Sequence, residues 1–222
     1  MIGGIKHVQV KPGCGSAFEA AFDAHAAEVR AHEPGTLSYE RFRAGAPLRY
    51  AVLDRYRDAE SLAQHCSSPW GREAFPKMRA MIEAMEVRYF TAPDSASYTA
   101  AILTTAPAPR AFAVAASVED LPRWAVRFCQ SLRREGERWI VTSPQGDVVF
   151  RLEPSPESHL VWHCVDTGTG ELRMPLRVVP HGPGALLLFT IHRPSGVDEA
   201  AFAEQCDWVD EEIGRLKALL EG

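Results

Sequence analysis

A stretch rich in proline and small residues, 93–109, divides this chain into two halves and constrains the fold more than any other feature. Its composition is typical of an interdomain linker. About 100 residues remain on either side, enough for one small domain each. The apolar run 98–103 inside it could form a strand or a docking segment. We therefore predict domains at 1–92 and 110–222, joined by a linker at 93–109.

The first half begins with a strand-like segment followed by a helix. Residues 5–10 read as a strand and end at a turn. Ser16 and Glu19 have the spacing of a capping box, in which the two side chains bond to the backbone at a helix start. Pro34 and Gly35 predict the end of that helix.

The remainder of the first half completes the pattern βαββαβ. Residues 37–42 and 50–56 are spaced as a hairpin, Asp58 and Ser68 each predict a helix start, and 86–90 form a closing strand. This order predicts a ferredoxin-like α+β domain. Because such a sheet has helices on one face only, a second copy of the chain could cover the other face, which predicts a homodimer.

The second half predicts a strand at 111–115, a helix near Ser117, a meander of strands and a long C-terminal helix. The strands are expected at 139–142, 147–152, 160–165, 172–179 and 186–191. Apolar residues of the last helix recur at intervals of three and four: Phe202, Cys206, Val209, Ile213, Leu216 and Leu220. An antiparallel sheet covered by one amphipathic helix leaves room for a cavity between them.

Charge and composition exclude several kinds of partner. The formal net charge of -5 argues against nucleic acid, because phosphate binding needs a basic surface. No apolar run approaches the roughly 20 residues of a membrane span, and the N-terminus lacks the pattern of a signal peptide. We expect a cytoplasmic protein whose five scattered cysteines are free thiols.

The histidine spacings favour neither a metal nor a cofactor. His25 and His32 are about 10 Å apart along a helix, and His159 and His163 about 13 Å apart along a strand, so neither pair shares an ion unaided. Gly182-Pro183-Gly184 reads as a hairpin turn and does not open a helix as a nucleotide-binding loop would. We expect no metal and no cofactor.

Several short motifs in order give the first half a family resemblance. Residues 10–13, 18–22, 33–40 and 56–65, followed by Ser68 and Pro69, resemble the antibiotic biosynthesis monooxygenase (ABM) family over about residues 3–91. The resemblance implies a dimeric α+β barrel with a pocket between sheet and helices. It also implies oxygenation of polyketide anthrones or quinols without metal or flavin.

Carried onto this chain, the resemblance selects two candidate catalytic residues, His65 and Tyr56. His65 stands where the family commonly has a histidine, and it could act as a base near neutral pH or only tie a helix to a loop. Tyr56 stands where anthrone oxygenases carry a tryptophan, while Val52 and Leu62 replace their polar residue and their tyrosine. Phe75 falls where haem-degrading relatives have a histidine, which argues against haem chemistry.

Further residues of the first half could bind a substrate. We predict that His7, Tyr39, Trp70 and Phe75 line the same cavity as His65. The alternative is that His7, Tyr39 and Trp70 pack in the core or in the dimer interface.

The second half has its own resemblance. Residues 138–146, 174–182 and 198–221 are similar to the SRPBCC or START-like superfamily, of the polyketide cyclase/dehydrase type, over about 110–221. The resemblance implies a helix-grip fold with a cavity for hydrophobic ligands beneath the C-terminal helix. Some members catalyse cyclisation or dehydration, and many only bind.

Aromatic residues of the second half could form the walls of that cavity or fill it. We predict substrate contacts for Trp124, Trp139 and Trp162, with His163 and Arg177 as polar groups. Arg177 could instead form an exposed ion pair.

These observations support three functional hypotheses. The first is a cofactor-independent monooxygenase of an aromatic polyketide- or quinol-like small molecule, fused to a domain that binds or processes a hydrophobic ligand. The second is a non-catalytic two-domain binding protein with a role in transport, sensing or stress response. The third assigns the ABM-like half to dimerisation of a START-like binder.

Overall fold

The computed structural model describes residues 1–91, 97–168 and 170–222. The chain divides into two compact units, Met1–Ala92 and Pro93–Gly222, and each has its own antiparallel sheet. Among the described residues, none of the helices is both long enough and apolar enough to cross a membrane.

The first unit consists of four strands and three helices. In chain order they are β1 (Ile2–Val10), α1 (Gly15–His32), β2 (Thr36–Arg43), β3 (Arg49–Tyr56), α2 (Ala59–Ser67), α3 (Pro69–Met81) and β4 (Ile82–Thr91). The strands form one antiparallel sheet in the order β2-β3-β1-β4. The element order and the sheet confirm the ferredoxin-like α+β prediction for this half.

Alternation along β1 separates the two faces of this sheet. Val8 and Val10 are buried and pack with Phe18, Phe22 and Val29 of α1 in one apolar cluster. These three helix residues recur at intervals of four and seven, so they share the face of α1 that meets the sheet. Side chains at the odd positions of β1 point to the other face.

The predicted helix starts are correct in two cases and wrong in one. The Asp58 carboxylate accepts the backbone N–H of Ser61, and the Ser68 hydroxyl accepts that of Gly71. The capping box is wrong, because α1 begins after Cys14 without a side-chain cap. The carboxylate of Glu19 instead accepts hydrogen bonds from Arg43 and Tyr50, on β2 and β3.

The second unit consists of a seven-stranded antiparallel sheet, two short helices and a long C-terminal helix. Its elements are β5 (Ser97–Thr104), α4 (Ala108–Ala115), α5 (Leu121–Trp124), β6 (Ser131–Glu135), β7 (Arg138–Ser143), β8 (Gly146–Ser155), β9 (Leu160–Asp166), β10 (Glu171–His181), β11 (Gly184–His192) and α6 (Glu199–Glu221). The sheet order is β5-β11-β10-β9-β8-β7-β6. The predicted hairpin between β10 and β11 is confirmed, with Gly182 in the left-handed region at φ 58.

For the apolar run 98–103, the structure bears out the strand that the sequence allowed and not the linker. Residues 93–96 lie outside the described residues. From Ser97 to Thr104 the chain forms β5, which pairs antiparallel with β11 at the edge of the large sheet. That pairing joins segments more than eighty residues apart, so this part of the stretch is an integral element of the second unit.

The strand predicted at 111–115 is also wrong, because these residues belong to the helix α4. Alanine is the strongest helix former, and Pro109 is tolerated in the first turn of a helix. Ala111 and Ala115 are buried in the core of the second unit, four residues apart on one helix face. The helix predicted from Ser117 is reduced to the four residues of α5, and β6 was not predicted.

Candidate functional site

A buried histidine–carboxylate pair lies at the centre of the first unit. His65 is in the last turn of α2, and Glu33 caps the C-terminus of α1. Their side chains meet with His65 Nδ1 2.8 Å from Glu33 Oε2, and both residues are less than one-tenth exposed. Glu33 also accepts hydrogen bonds from the Thr36 hydroxyl, at 2.7 Å, and from Trp70 Nε1–H, at 2.5 Å. These bonds fix the carboxylate against the histidine.

The two groups have opposite protonation preferences. Burial lowers the pKa of His65, and the hydrogen bond to Glu33 only partly opposes this, so the imidazole is neutral at neutral pH. Burial raises the pKa of Glu33, but the hydrogen bonds from His65, Thr36 and Trp70 outweigh it and hold the pKa below its usual value. An ionised Glu33 requires the proton on His65 Nδ1, which leaves Nε2 as the basic nitrogen.

Aromatic rings surround His65 on several sides. The ring centroids of Tyr39, Tyr56 and Phe75 lie 4.9, 5.3 and 5.6 Å from that of His65. His25 of α1 lies 5.7 Å away and contacts Tyr39 and Phe75 edge-on. We call these five side chains the His65 cluster. The structure therefore brings together His65, Tyr56, Tyr39 and Phe75, with Trp70 attached through Glu33, and their roles in catalysis or substrate binding stay predictions.

Two members of the His65 cluster carry polar atoms without partners. Neither ring nitrogen of His25 has a hydrogen-bond partner among the described residues, and the same holds for the Tyr56 hydroxyl. Both side chains are buried, and burial lowers the pKa of His25 to about 4, with His65 as a smaller contribution. A buried polar group without a partner costs about 1–3 kcal/mol, and such groups concentrate at functional sites.

A buried ion pair borders the cluster. Lys6 of β1 pairs with Asp54 of β3, and its ammonium lies 5.8 Å from the centres of the Tyr39 and Tyr89 rings. Burial lowers the pKa of Lys6 to about 8. The positive charge beside Tyr39 also lowers the pKa of His65, which favours the neutral form of that histidine.

The second unit contains a separate cavity of about 520 Å³. Its walls come from β8, β9, β10 and β11 on one side and from α5 and α6 on the other, and most of the lining side chains are apolar or aromatic. Both Trp124 and His163 line it, and their contact with a substrate stays a prediction. The volume is within the range of small-molecule sites, about 300–1,000 Å³.

A buried carboxyl group also lines this cavity. Glu212 of α6 is 4% exposed, and its Oε1 accepts the backbone N–H groups of Arg127 and Phe128, each at 2.8 Å. Burial raises its pKa to about 7 despite these bonds. The bonds anchor the segment after α5 to the long helix.

Four predicted contact residues lie elsewhere. His7 is exposed on the opposite face of the first sheet from the His65 cluster, because it occupies an odd position of β1. Trp139 lies outside the lining of the second cavity, with the Arg134 guanidinium 5.8 Å from its ring centre.

Trp162 and Arg177 are likewise not among the lining residues of the second cavity. Trp162 directly precedes His163 on β9, so the two side chains point to opposite faces, and Arg173 stands over the Trp162 ring at 5.1 Å. Arg177 lies between the core residues Leu176 and Val178, which places it on the outer face in the same way.

The sequence analysis did not select three charged residues of these sites, although each occupies a position that is unusual for a charge. Glu33 is acidic at a helix C-terminus, where the helix dipole disfavours a negative charge. Lys6 interrupts the buried alternation of β1. Glu212 follows Val209 by three residues and precedes Leu216 by four, which places it on the apolar face of α6.

Metal ligation finds no support in the part of the chain that the structure describes. There, no three histidine, cysteine, aspartate or glutamate side chains come together in an arrangement that could hold an ion.

The sequence of the first unit matches a known protein family. Residues 1–83 match the model of the family described as Antibiotic biosynthesis monooxygenase. The first unit carries an ABM domain. Sequence comparison with curated proteins gave no match.

Solved structures similar to this chain align with less than half of it. A candidate antibiotic biosynthesis monooxygenase from Caulobacter crescentus is 29% identical, covering 42% of this chain and 90% of that one, with a TM-score of 0.41. A protein from Mycobacterium tuberculosis is 22% identical, covering 42% and 95%, with a TM-score of 0.39. A candidate monooxygenase of the same description from Nitrosomonas europaea is 18% identical, covering 42% and 100%, with a TM-score of 0.39.

Proposed function

We propose that the first unit binds an electron-rich aromatic small molecule, deprotonates it through His65 and directs it to react with dioxygen without a cofactor. The Glu33–His65 pair is the observation that carries this proposal. Glu33 holds the Nδ1 proton, so Nε2 is the nitrogen that accepts a proton from the substrate. The carboxylate then stabilises the imidazolium that forms.

The surroundings of His65 suit the later steps. The rings of Tyr39, Tyr56 and Phe75 would shield a substrate anion from water, and the anion would pass an electron to dioxygen. For an anthrone-type substrate the balance is a CH₂ group and one O₂ giving a carbonyl group and one water. The unpartnered atoms of His25 and Tyr56 would bind substrate oxygens. Phe75 and Trp70, only half-buried, would form the side from which the substrate approaches.

Oxygen uptake with anthrone as substrate tests this function. We expect His65→Ala to abolish enzyme-dependent uptake and Tyr56→Phe to reduce it, since one removes the base and the other a ligand-facing hydroxyl. Glu28→Gln is the matched control, because Glu28 is an exposed carboxylate on α1. Uptake that is unchanged in His65→Ala would refute the assignment of the base.

We infer a homodimer from the uncovered face of the first sheet. Phe42, Leu53 and Phe90 are 48%, 38% and 52% exposed. The strand register places them on one face with Ile5 and His7. Exposed apolar clusters of this kind mark association sites. Packing the sheets of two chains face to face would bury the apolar cluster of each chain.

A non-catalytic binding function is the second candidate, and the cavity of the second unit favours it. The antiparallel sheet of this unit, its long C-terminal helix and the cavity between them support a helix-grip domain, in which the cavity would hold a hydrophobic ligand. In this case the ABM domain would serve as the dimerisation module. Tight binding of an aromatic ligand without oxygen uptake would favour this candidate over the first.

A further inference from the structure

The deep wall of the second-unit cavity carries two polar groups without partners. His163 is 2% exposed in the middle of β9, and Trp124 is 1% exposed at the end of α5. Neither His163 Nε2 nor Trp124 Nε1 has a hydrogen-bond partner among the described residues. Both residues line the cavity. Leaving these atoms unpaired destabilises the protein, so a ligand that pairs with them would recover that free energy.

The two rings are neighbours in the cavity wall, with their centroids 5.8 Å apart, edge to face. The Phe150 and Phe189 rings lie 5.9 and 5.1 Å from the His163 ring, so the rest of the ligand meets aromatic surface there.

The hydrogen-bonding capacity of the pair specifies the ligand oxygen. An indole N–H only donates. Burial lowers the pKa of His163 to about 3, so its imidazole is neutral, and in one tautomer Nε2 is an acceptor. A hydroxyl group can accept from the indole and can pair with the imidazole in either tautomer, whereas an ether or ketone oxygen only accepts and pairs with one tautomer.

The charge of the lining disfavours an anionic ligand. None of the described lining residues is a lysine or an arginine, so an anionic head group would lack a counter-charge. Of the two acidic residues in the lining, Glu171 pairs with Arg151, and Glu212 accepts two backbone N–H groups, so neither requires a cationic ligand. An uncharged polar end therefore fits this lining.

We propose that this cavity binds an uncharged phenolic ring, whose hydroxyl accepts from Trp124 Nε1–H and donates to His163 Nε2. This inference rests on the part of the proposed function in which the second-unit cavity holds a small molecule. It narrows that molecule from any hydrophobic ligand to a hydroxylated aromatic.

Calorimetric titration of the full chain with 2-naphthol at pH 7 tests the inference. We expect Trp124→Phe and His163→Phe each to weaken 2-naphthol binding about tenfold, since each removes one hydrogen bond and keeps an aromatic ring. Binding of naphthalene should not change in either variant. In the unsubstituted protein, 2-methoxynaphthalene should bind about tenfold more weakly than 2-naphthol because it cannot donate. Trp139→Phe is the control, since Trp139 lies outside the lining.

The outcomes separate this inference from the proposed function. If naphthalene and 2-naphthol bound equally and both variants behaved like the unsubstituted protein, the cavity would remain a ligand site and only the phenol specificity would be refuted. If no naphthalene derivative bound, the cavity would not be a site for aromatic ligands. The phenol inference and the proposed binding function of the second unit would then both fail. Tighter binding of 2-naphthoate or of 2-naphthylmethylammonium than of 2-naphthol would overturn the inference, because charge would then govern recognition.

Discussion

Replacing Glu212 by glutamine should remove a pH dependence from the stability of the second unit. Burial raises the pKa of this carboxyl from its usual 4.5 to about 7. The folded state thus binds a proton that the unfolded state has lost between these two pH values. The stabilisation is fully present below pH 4.5 and is lost as the pH rises through about 7. At about 1.4 kcal/mol per pH unit, the interval corresponds to about 3 kcal/mol.

Urea unfolding at pH 4.5 and pH 8, followed by tryptophan fluorescence, measures this effect. Four of the five tryptophans lie in the second unit, so the signal reports mainly on it. Relative to Glu212→Gln, the unsubstituted protein should lose about 3 kcal/mol of unfolding free energy between the two pH values. The amide oxygen of glutamine can still accept from the Arg127 and Phe128 backbone.

Glu204→Gln is the control for this experiment, since Glu204 is an exposed carboxylate on the same helix. Its profile should follow that of the unsubstituted protein. If the unfolding free energies of the unsubstituted protein and of Glu212→Gln changed with pH in the same way, the reasoning would be refuted. A loss of relative stability toward low pH would refute it as well.

Three further predictions concern the first unit. Glu33→Gln removes the carboxylate that orients His65. The turnover number for anthrone oxygenation, measured by oxygen uptake, should therefore fall about a hundredfold. Undiminished turnover would exclude Glu33 from the mechanism. Phe42→Glu places a charge on the exposed sheet face and should reduce the mass measured by light scattering to that of a single chain, whereas an unsubstituted protein that is already monomeric would refute the dimer. Gly4→Ala should lower the unfolding free energy by about 1–3 kcal/mol, because a Cβ there would collide with the Asp54 carboxylate; unchanged urea unfolding would contradict this.

The elements with strong local signals were predictable from the sequence. The apolar stripe of α6 and the side-chain caps Asp58 and Ser68 depend on residues that are close together in the sequence. All three features are present in the structure. The capping box at Ser16 is wrong although its spacing was correct, because the Glu19 carboxylate bonds to Arg43 and Tyr50 on two strands and not to the helix start. Tertiary contacts overrode a local preference there.

Long-range pairing accounts for most of what the sequence did not predict. The strand β5 exists through its hydrogen bonds to β11, and a stretch rich in small residues and proline gives little local indication of that partner. The candidate sites show the same limit. A family resemblance pointed to His65. Glu33 belongs to the site through a tertiary contact between the end of α1 and the end of α2, which the sequence does not indicate.

Labelling with ¹⁸O₂ tests the central claim, that His65 initiates oxygenation of an aromatic substrate without a cofactor. With anthrone as substrate, we expect one ¹⁸O atom in the product carbonyl for each O₂ consumed, and loss of this enzyme-dependent incorporation in His65→Ala. Anthrone that binds but acquires no ¹⁸O beyond the spontaneous rate, or equal incorporation in His65→Ala, would contradict the claim.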